Sequence, residues 1–273
     1  MTAAPNRGVN PAPGGHRVWI ETLVSWALPL LVVALWEVAA DTGLIAARVL
    51  PAPSSVAIAG WRMMQDGSLP QAVAVSALRA VKGLVIGGAL GFILGVANGL
   101  WRPAELTLDG TLQMLRNVPH LAIIPLVILW FGIGEEAKVF LVALGVLFPV
   151  YLNTYHGVRT IDPGLLEMAR VHGLGFAQLF WRVVLPGALP SIFIGLRYGL
   201  GLMWLTLIVA ETISASSGIG YMTMNAREFL QTDVVLLGVI AYALLGKLSD
   251  SAAKFCERAT LFWHPSYMRE ARQ

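Results

Sequence analysis

Apolar residues along the chain gather into six long runs separated by short polar stretches. The runs cover residues 23–40, 83–101, 118–133, 139–155, 187–210 and 234–248. Each is near the ~20 residues a helix needs to cross the hydrocarbon core of a bilayer. The third and sixth are short, so their helices are expected to extend into flanking sequence. Nothing alternates with the period of two that marks a strand. The pattern predicts an all-α membrane protein with six transmembrane helices over residues 21–260. Residues 1–20, rich in Pro, Gly and Ala and without periodicity, are expected to be a disordered tail. Residues 261–273 are expected to form a second tail. A cleaved signal peptide ending at Val38-Ala39-Ala40 is the rival reading of the first run; its length and Pro29 disfavour it. Residues 41–70 read as a connector with a short amphipathic stretch at 55–65.

The second run carries Gly83, Gly87, Gly91, Gly95 and Gly99. A spacing of four puts them on one helix face, where a second helix can approach closely; such packing drives association in lipid. The expected role is structural. Arg79 and Lys82, at the edge of this run, are expected to snorkel.

Composition supports the membrane reading. Of 273 residues, 56% are hydrophobic and only 13% charged, and the mean hydropathy is +0.69; a soluble domain carries roughly 25% charged residues. Six spans leave no room for a second, soluble catalytic domain. Nine Trp suit the aromatic belts at bilayer interfaces. With both termini in the cytoplasm, twelve Lys and Arg fall in inner segments and six in outer ones, with Arg197 inside a span. That bias favours N-in and C-in, so the net charge of +3 records orientation and implies no nucleic-acid partner. The single cysteine, Cys256, excludes an intramolecular disulfide and any cysteine-cluster metal site. The five histidines lack metal-ligand spacing. No Gly-x-x-x-x-Gly-Lys-Ser/Thr loop is present; Gly246-Lys247-Leu248 lacks the earlier glycine and the hydroxyl. No His-Glu-x-x-His or nucleophile-elbow motif appears. The chain is therefore expected not to be an enzyme.

The connector at 158–186 is too long and too ordered in pattern for a simple linker. Asp162 suits an N-cap and Pro163 the first helical position. Gly173 and Gly175 bound that helix at its C-terminus. A second short helix fits residues 176–184, with Pro186 expected to stop it before the fifth span. The result would be a two-helix cytoplasmic protrusion.

Here the chain resembles the permease subunits of binding-protein-dependent ABC importers. Glu167-Met168-Ala169, three residues, Gly173, nine residues, then Val183-Val184-Leu185-Pro186 is similar to their EAA loop, with Met168 in place of Ala and Val183 in place of Ile. Gln113-Met114-Leu115-Arg116-Asn117-Val118-Pro119-His120, Leu129-Trp130-Phe131-Gly132-Ile133-Gly134, Gly201-Leu202-Met203-Trp204-Leu205-Thr206, Glu211-Thr212-Ile213-Ser214 and Met224-Asn225-Ala226-Arg227-Glu228-Phe229-Leu230 resemble the aliphatic-sulfonate branch. Sister branches import taurine, nitrate or bicarbonate. The resemblance implies the type I importer permease fold, a homodimer in the bacterial inner membrane, two cytoplasmic ATPase subunits that hold ATP and Mg, and a periplasmic substrate-binding protein. It implies no cofactor in this chain. Glu167, Met168, Ala169, Gly173, Leu185 and Pro186 would couple the loop to the ATPase, with Ala169 keeping the docking face low.

A sulfonate is a permanent anion, so candidate pathway residues are cationic or polar. Arg197 lies ~15 Å into its span and either lines the pathway or pairs across helices. Arg116, Asn117 and His120 flank Pro119 and either line an inner mouth or satisfy backbone groups that the proline frees. Glu211 ends the fifth span ahead of an outer hairpin at 214–230, which either gates the pathway, meets the binding protein or lies as an interfacial helix. An ion-coupled carrier is the rival from another class; it would carry intramembrane carboxylates in a repeat, and the only carboxylate well inside the runs is Glu37.

Overall fold

The computed structural model describes residues 15–119, 122–214 and 216–263, and these contain helices and turns but no strand. The tail at 1–14, the greater part of the C-terminal tail and His120 lie outside the described residues. The helices are α1 (Gly15–Asp41), α2 (Pro53–Gln65), α3 (Ser68–Leu100), α4 (Arg102–Ala104), α5 (Gly110–Arg116), α6 (Ile124–Phe131), α7 (Glu135–Arg159), α8 (Pro163–Val171), α9 (Phe176–Leu179), α10 (Leu185–Ser214), α11 (Ile219–Glu228) and α12 (Thr232–Thr260). Short π-helical turns at Glu105–Asp109 and Phe180–Val184 join α4 to α5 and α9 to α10.

Among the described residues, four stretches are long and apolar enough to cross a membrane: Ser68–Leu100, Glu135–Arg159, Phe176–Ile213 and Thr232–Thr260. The sixth run extends into flanking sequence as expected. The first run lies in α1, which begins at Gly15, inside the segment expected to be tail. Glu37, the carboxylate within that run, accepts the Ser54 N–H at 3.0 Å, so its charge meets the positive end of α2.

The third run departs from the expected single helix. Pro119 and Pro125 remove two donors, and a proline disfavours helical geometry in the residue before it. Among its described residues the run contains the eight-residue α6, and residues 117–119 and 122–123 between α5 and α6 are not helical. α7 holds the preceding π turn by a polar ladder: Tyr151 donates to Asp109 at 2.6 Å, Tyr155 donates to Glu105 at 2.6 Å, and Arg159 pairs with Glu105 at 3.3 Å.

The glycine face of α3 does what its spacing predicts. α7 lies against it so closely that a Cβ on Gly91 would sit 2.5 Å from the Leu147 carbonyl oxygen, and one on Gly95 would sit 2.6 Å from Thr154 Cβ. Gly83, Gly87 and Gly99 face Val142, Ala143 and Val158. On its other side α7 meets α10 through a second set of small residues. Gly195 faces Asn153 and the Pro149 carbonyl, Gly157 faces Ser191 and Ala188, and Gly145 faces Thr206. Two thirds of the residues in the most apolar stretch of α7 are buried against about a tenth of those in α12, which makes α7 the centre of the molecule and leaves α12 at its periphery. Val142, Val146 and Val150 of α7 and Leu200, Met203 and Leu207 of α10 fill the core between them. The α3–α7–α10 slab has the 160–184 loop at one end and the 216–228 hairpin at the other.

These seams set a sharp contrast between neighbouring glycines. Gly91→Ala is expected to lower stability by about 1–3 kcal/mol, the usual cost of overpacking a filled interior. A methyl on Gly88 meets nothing within 4 Å, so Gly88→Ala is expected to be neutral or slightly stabilising, as alanine is the better helix former. Thermal unfolding of the two purified variants in detergent measures the difference.

Candidate functional site

The 160–184 loop is built by local capping. The Asp162 carboxylate accepts the Gly164 N–H at 2.8 Å and starts α8. At the other end Gly173 takes a left-handed φ of +77°. Its N–H reaches the Arg170 carbonyl at 2.9 Å and the Leu174 N–H reaches the Ala169 carbonyl at 3.1 Å. This pair of bonds is a Schellman cap, which a residue with a Cβ closes only under strain. The chain then turns back into α9.

The cap leaves α8 with two unlike faces. Leu166, with Leu179 and Phe180, packs onto Val158 of α7 and onto Val184 and Ala188, fixing the loop to both flanking spans. Leu165, Met168 and Val171 point away, and Val171 is 86% exposed. Phe176 and Trp181 are exposed as well, and Glu167 and Arg170 lie on the solvent side. Ala169 does not lie on this outer face: it is buried beneath α8, where a small side chain lets the helix sit close to its base. Leu185 and Pro186 are half-buried at the foot of α10. Pro186 does not break the chain of helices either. The π turn before it bonds Leu185 N–H to the Phe180 carbonyl, five residues back. That wider turn eases the clash a proline ring makes with the carbonyl four residues earlier. Helix therefore continues from Phe176 to Ile213.

The polar residues singled out in the spans are not brought together. Arg197 pairs across helices: its Nε donates to Asp250 at 3.0 Å, and a second nitrogen lies 3.4 Å from Glu257, both on α12. Lys254 holds the other Asp250 oxygen at 2.8 Å. Asn117 donates to the Gln113 carbonyl at 3.0 Å, satisfying backbone at the end of α5, while Arg116 is exposed.

Glu211 departs furthest from expectation. It lies buried at the hairpin end rather than on an open pathway, and four groups donate to its carboxylate. Ser76 Oγ reaches both oxygens at 2.8 Å, Arg79 reaches one at 2.7 Å, and the Gly220 N–H and Tyr242 hydroxyl reach the other at 2.9 and 2.8 Å. Arg79 does not snorkel; its side chain is 2% exposed. Its fork also makes a bidentate pair with Glu135 (Nε to Oε2, 2.6 Å), and it donates to the Ser217 carbonyl and hydroxyl at 2.7 and 2.8 Å. All five guanidinium hydrogens are committed. Lys138, buried like Arg79, pairs with Glu135 at 3.2 Å. Two cations and two anions thus form a neutral cluster. The sequence reading missed it, although Ser76 and Arg79 continue the glycine face of α3 toward its N-terminus.

With this geometry established, comparison with known proteins decides the family. Residues 87–261 match the family described as "Binding-protein-dependent transport system inner membrane component". The chain belongs to this family. It is 59% identical over 254 residues, 93% of this chain and 97% of the relative, to the aliphatic sulfonates transport permease protein SsuC of Escherichia coli (strain K12). It is 38% identical to the taurine transport system permease protein TauC of the same organism, over 89% of this chain and 90% of that one. Among solved structures, an amino acid ABC transporter crystallised with histidines aligns with a TM-score of 0.59 at 16% identity, covering 75% of this chain and 97% of that one. The likeness establishes a shared type I importer permease fold. Family members act as membrane components of transport systems, and the four apolar spans place this one in a membrane.

The charge cluster makes a testable demand on this permease. Arg79→Gln strands the Glu211 carboxylate in the interior and is expected to cost about 3–5 kcal/mol. The double variant Arg79→Gln/Glu211→Gln removes both charges and is expected to recover most of that loss. The yield and thermal stability of the purified variants measure both.

Proposed function

We propose that this chain is the membrane-spanning subunit of an ATP-driven importer of aliphatic sulfonates, working as a pair of identical copies. The observation that carries the substrate class is the 59% identity to SsuC across almost the whole of both chains. Taurine, itself a small sulfonate, is the second reading, favoured by the match to TauC.

In this reading the exposed apolar side chains Leu165, Met168 and Val171 dock on a separate cytoplasmic ATPase, which holds ATP and Mg. Glu167 and Arg170 flank that patch and set its register by charge. Ala169, Gly173, Leu185 and Pro186 act from beneath, by holding α8 at its angle. The chain has no phosphate-binding loop of its own. Both termini lie in the cytoplasm, following the bias of basic residues. The hairpin at 216–228 then faces the periplasm, where a binding protein delivers substrate. The non-helical residues 117–119 and 122–123, between α5 and α6, support a pathway at the interface of two copies. Non-helical backbone at membrane depth is tolerated only inside protein or along a water-filled cavity. Arg116 and Asn117 lie beside or among these residues and, with His120, would line the pathway. Arg197 acts as a clamp between α10 and α12.

Uptake tests the reading directly. Permease, ATPase and binding protein reconstituted in proteoliposomes are expected to accumulate ethanesulfonate on addition of ATP, and competition with taurine separates the two substrate classes; no accumulation of either would overturn the proposal. Gly173→Val and Met168→Asp are expected to leave the permease inserted while sharply reducing ATPase capture. Arg197→Gln is expected to lower the amount of assembled complex and leave uptake per complex unchanged. A thiol reagent that cannot cross membranes is expected to reach exposed Cys256 in inverted vesicles but not in intact cells.

A further inference from the structure

The two ends of the permease are joined by helices that cannot slide past one another. α7 runs from Glu135, in the charge cluster, to Arg159, which leads directly into the 160–184 loop. α10 leaves that loop without a break and carries Glu211 near its other end. The glycine seams press α3 and α10 onto α7 at backbone distance, so sliding any one helix by a residue would drive a side chain into a carbonyl.

The cluster at the far end holds the hairpin. Arg79 grips both polar groups of Ser217. The Ile219 N–H donates to Ser76 at 2.9 Å and the Gly220 N–H donates to Glu211 at 2.9 Å. There is no slack: a Cβ on Gly218 would lie 2.5 Å from a Glu211 oxygen and 2.6 Å from an Arg79 nitrogen. The same hairpin forms one wall of a cavity of about 570 Å³, through Ser217, Tyr221 and Asn225, with Arg62 of α2 and Gln71 of α3 also lining it.

Within the cluster Glu135 differs from Glu211. Its side chain is 58% exposed where that of Glu211 is fully buried, so it does not serve as an interior anchor. It occupies the Nε edge of Arg79 in two parallel bonds and fixes the plane of the guanidinium. In that plane the remaining hydrogens meet Glu211 and Ser217 together.

We propose that Arg79, oriented by Glu135, is the positioning residue through which movement of the ATPase-side loop reaches the hairpin and its cavity, so that loop, slab and hairpin move as one body. This rests on the importer reading above. Coupling between sites requires a physical element that both sites bias, and here that element is the whole seamed slab. Side-chain bonds from Ser76, Arg79 and Glu211 tie the hairpin to the slab, so this joint is where transmission can be cut while the glycine seams stay in place.

The test uses the complete importer in lipid nanodiscs for distances and in proteoliposomes for uptake. In a Cys256→Ser background, a spin label at Arg227→Cys on α11 reports the distance between the hairpins of the two copies, without nucleotide and with trapped ATP. That distance is expected to shift on ATP binding. Glu135→Gln/Lys138→Gln removes one charge of each sign and leaves the Arg79–Glu211 pair. It is expected to abolish or broaden the shift and to lower uptake per ATP hydrolysed about tenfold, within the usual range of coupling free energies. Ser217→Ala, which removes one bond and no charge, is expected to act in the same direction but less strongly, and it carries the test if the double variant does not assemble. Wild-type shift and wild-type uptake per ATP in the assembled variants would overturn the inference, since a purely structural joint changes only how much complex forms. If the wild-type permease captures no ATPase, the importer reading fails and takes this inference with it.

Discussion

Three helices touching at their backbones are the constraint on which the rest of this permease depends. Inside a bilayer, lipid tails are as apolar as leucine, so burial alone gives helices little reason to associate. What remains is dispersion at close range and hydrogen bonding. Glycine and other small residues on α3, α7 and α10 bring main chains together and lose no side-chain entropy in doing so. The buried charges depend on the same contact. Arg79, Lys138 and Glu211 survive in the interior because the slab holds them, with the more exposed Glu135, within bonding distance of one another, each offsetting another's cost of leaving water.

Much of this was legible in the chain. The apolar runs gave the all-helical class, the spacing of four predicted the α3 seam, and Asp162 and Gly173 were read correctly as the caps of α8. The departures share a cause: they involve partners far away in sequence. Arg79 reads as an edge residue because snorkelling is the usual fate of a cation near a span end; nothing local reveals that Glu135 and Glu211 wait for it. One local sign was present, since Ser76 and Arg79 lie on the same face as Gly83 and Gly87. Arg197 was open between two roles for the same reason, its carboxylates being on α12. Pro119 and Pro186 show that proline has no single outcome. One sits in an irregular stretch between helices, while the other is absorbed by a π turn.

The assembly divides its labour by chemistry. In the function proposed above, this chain would offer a docking face, a rigid body and a route through lipid, and the phosphate-handling groups would belong to its partner. Its polar side chains in the spans are mostly spoken for, by α12, by the π turn after α4, or by the hairpin. In that proposed function, such a permease would suit a substrate already selected outside, since strong contacts along the way would hold an anion in place.

The unbroken helix from Phe176 to Ile213 has one further consequence. Its 38 residues have a contour length of about 57 Å at 1.5 Å per residue, against a hydrocarbon core of ~30 Å. Nearly half of it therefore stands outside the apolar layer or crosses it steeply inclined. A rod of that reach amplifies angle into distance: pivoting about its midpoint by ~10° carries each tip through about 5 Å, roughly the rise of one helical turn. Modest tilts, well inside the range that bilayers accommodate, are then enough to exchange one set of contacts for the next at either end.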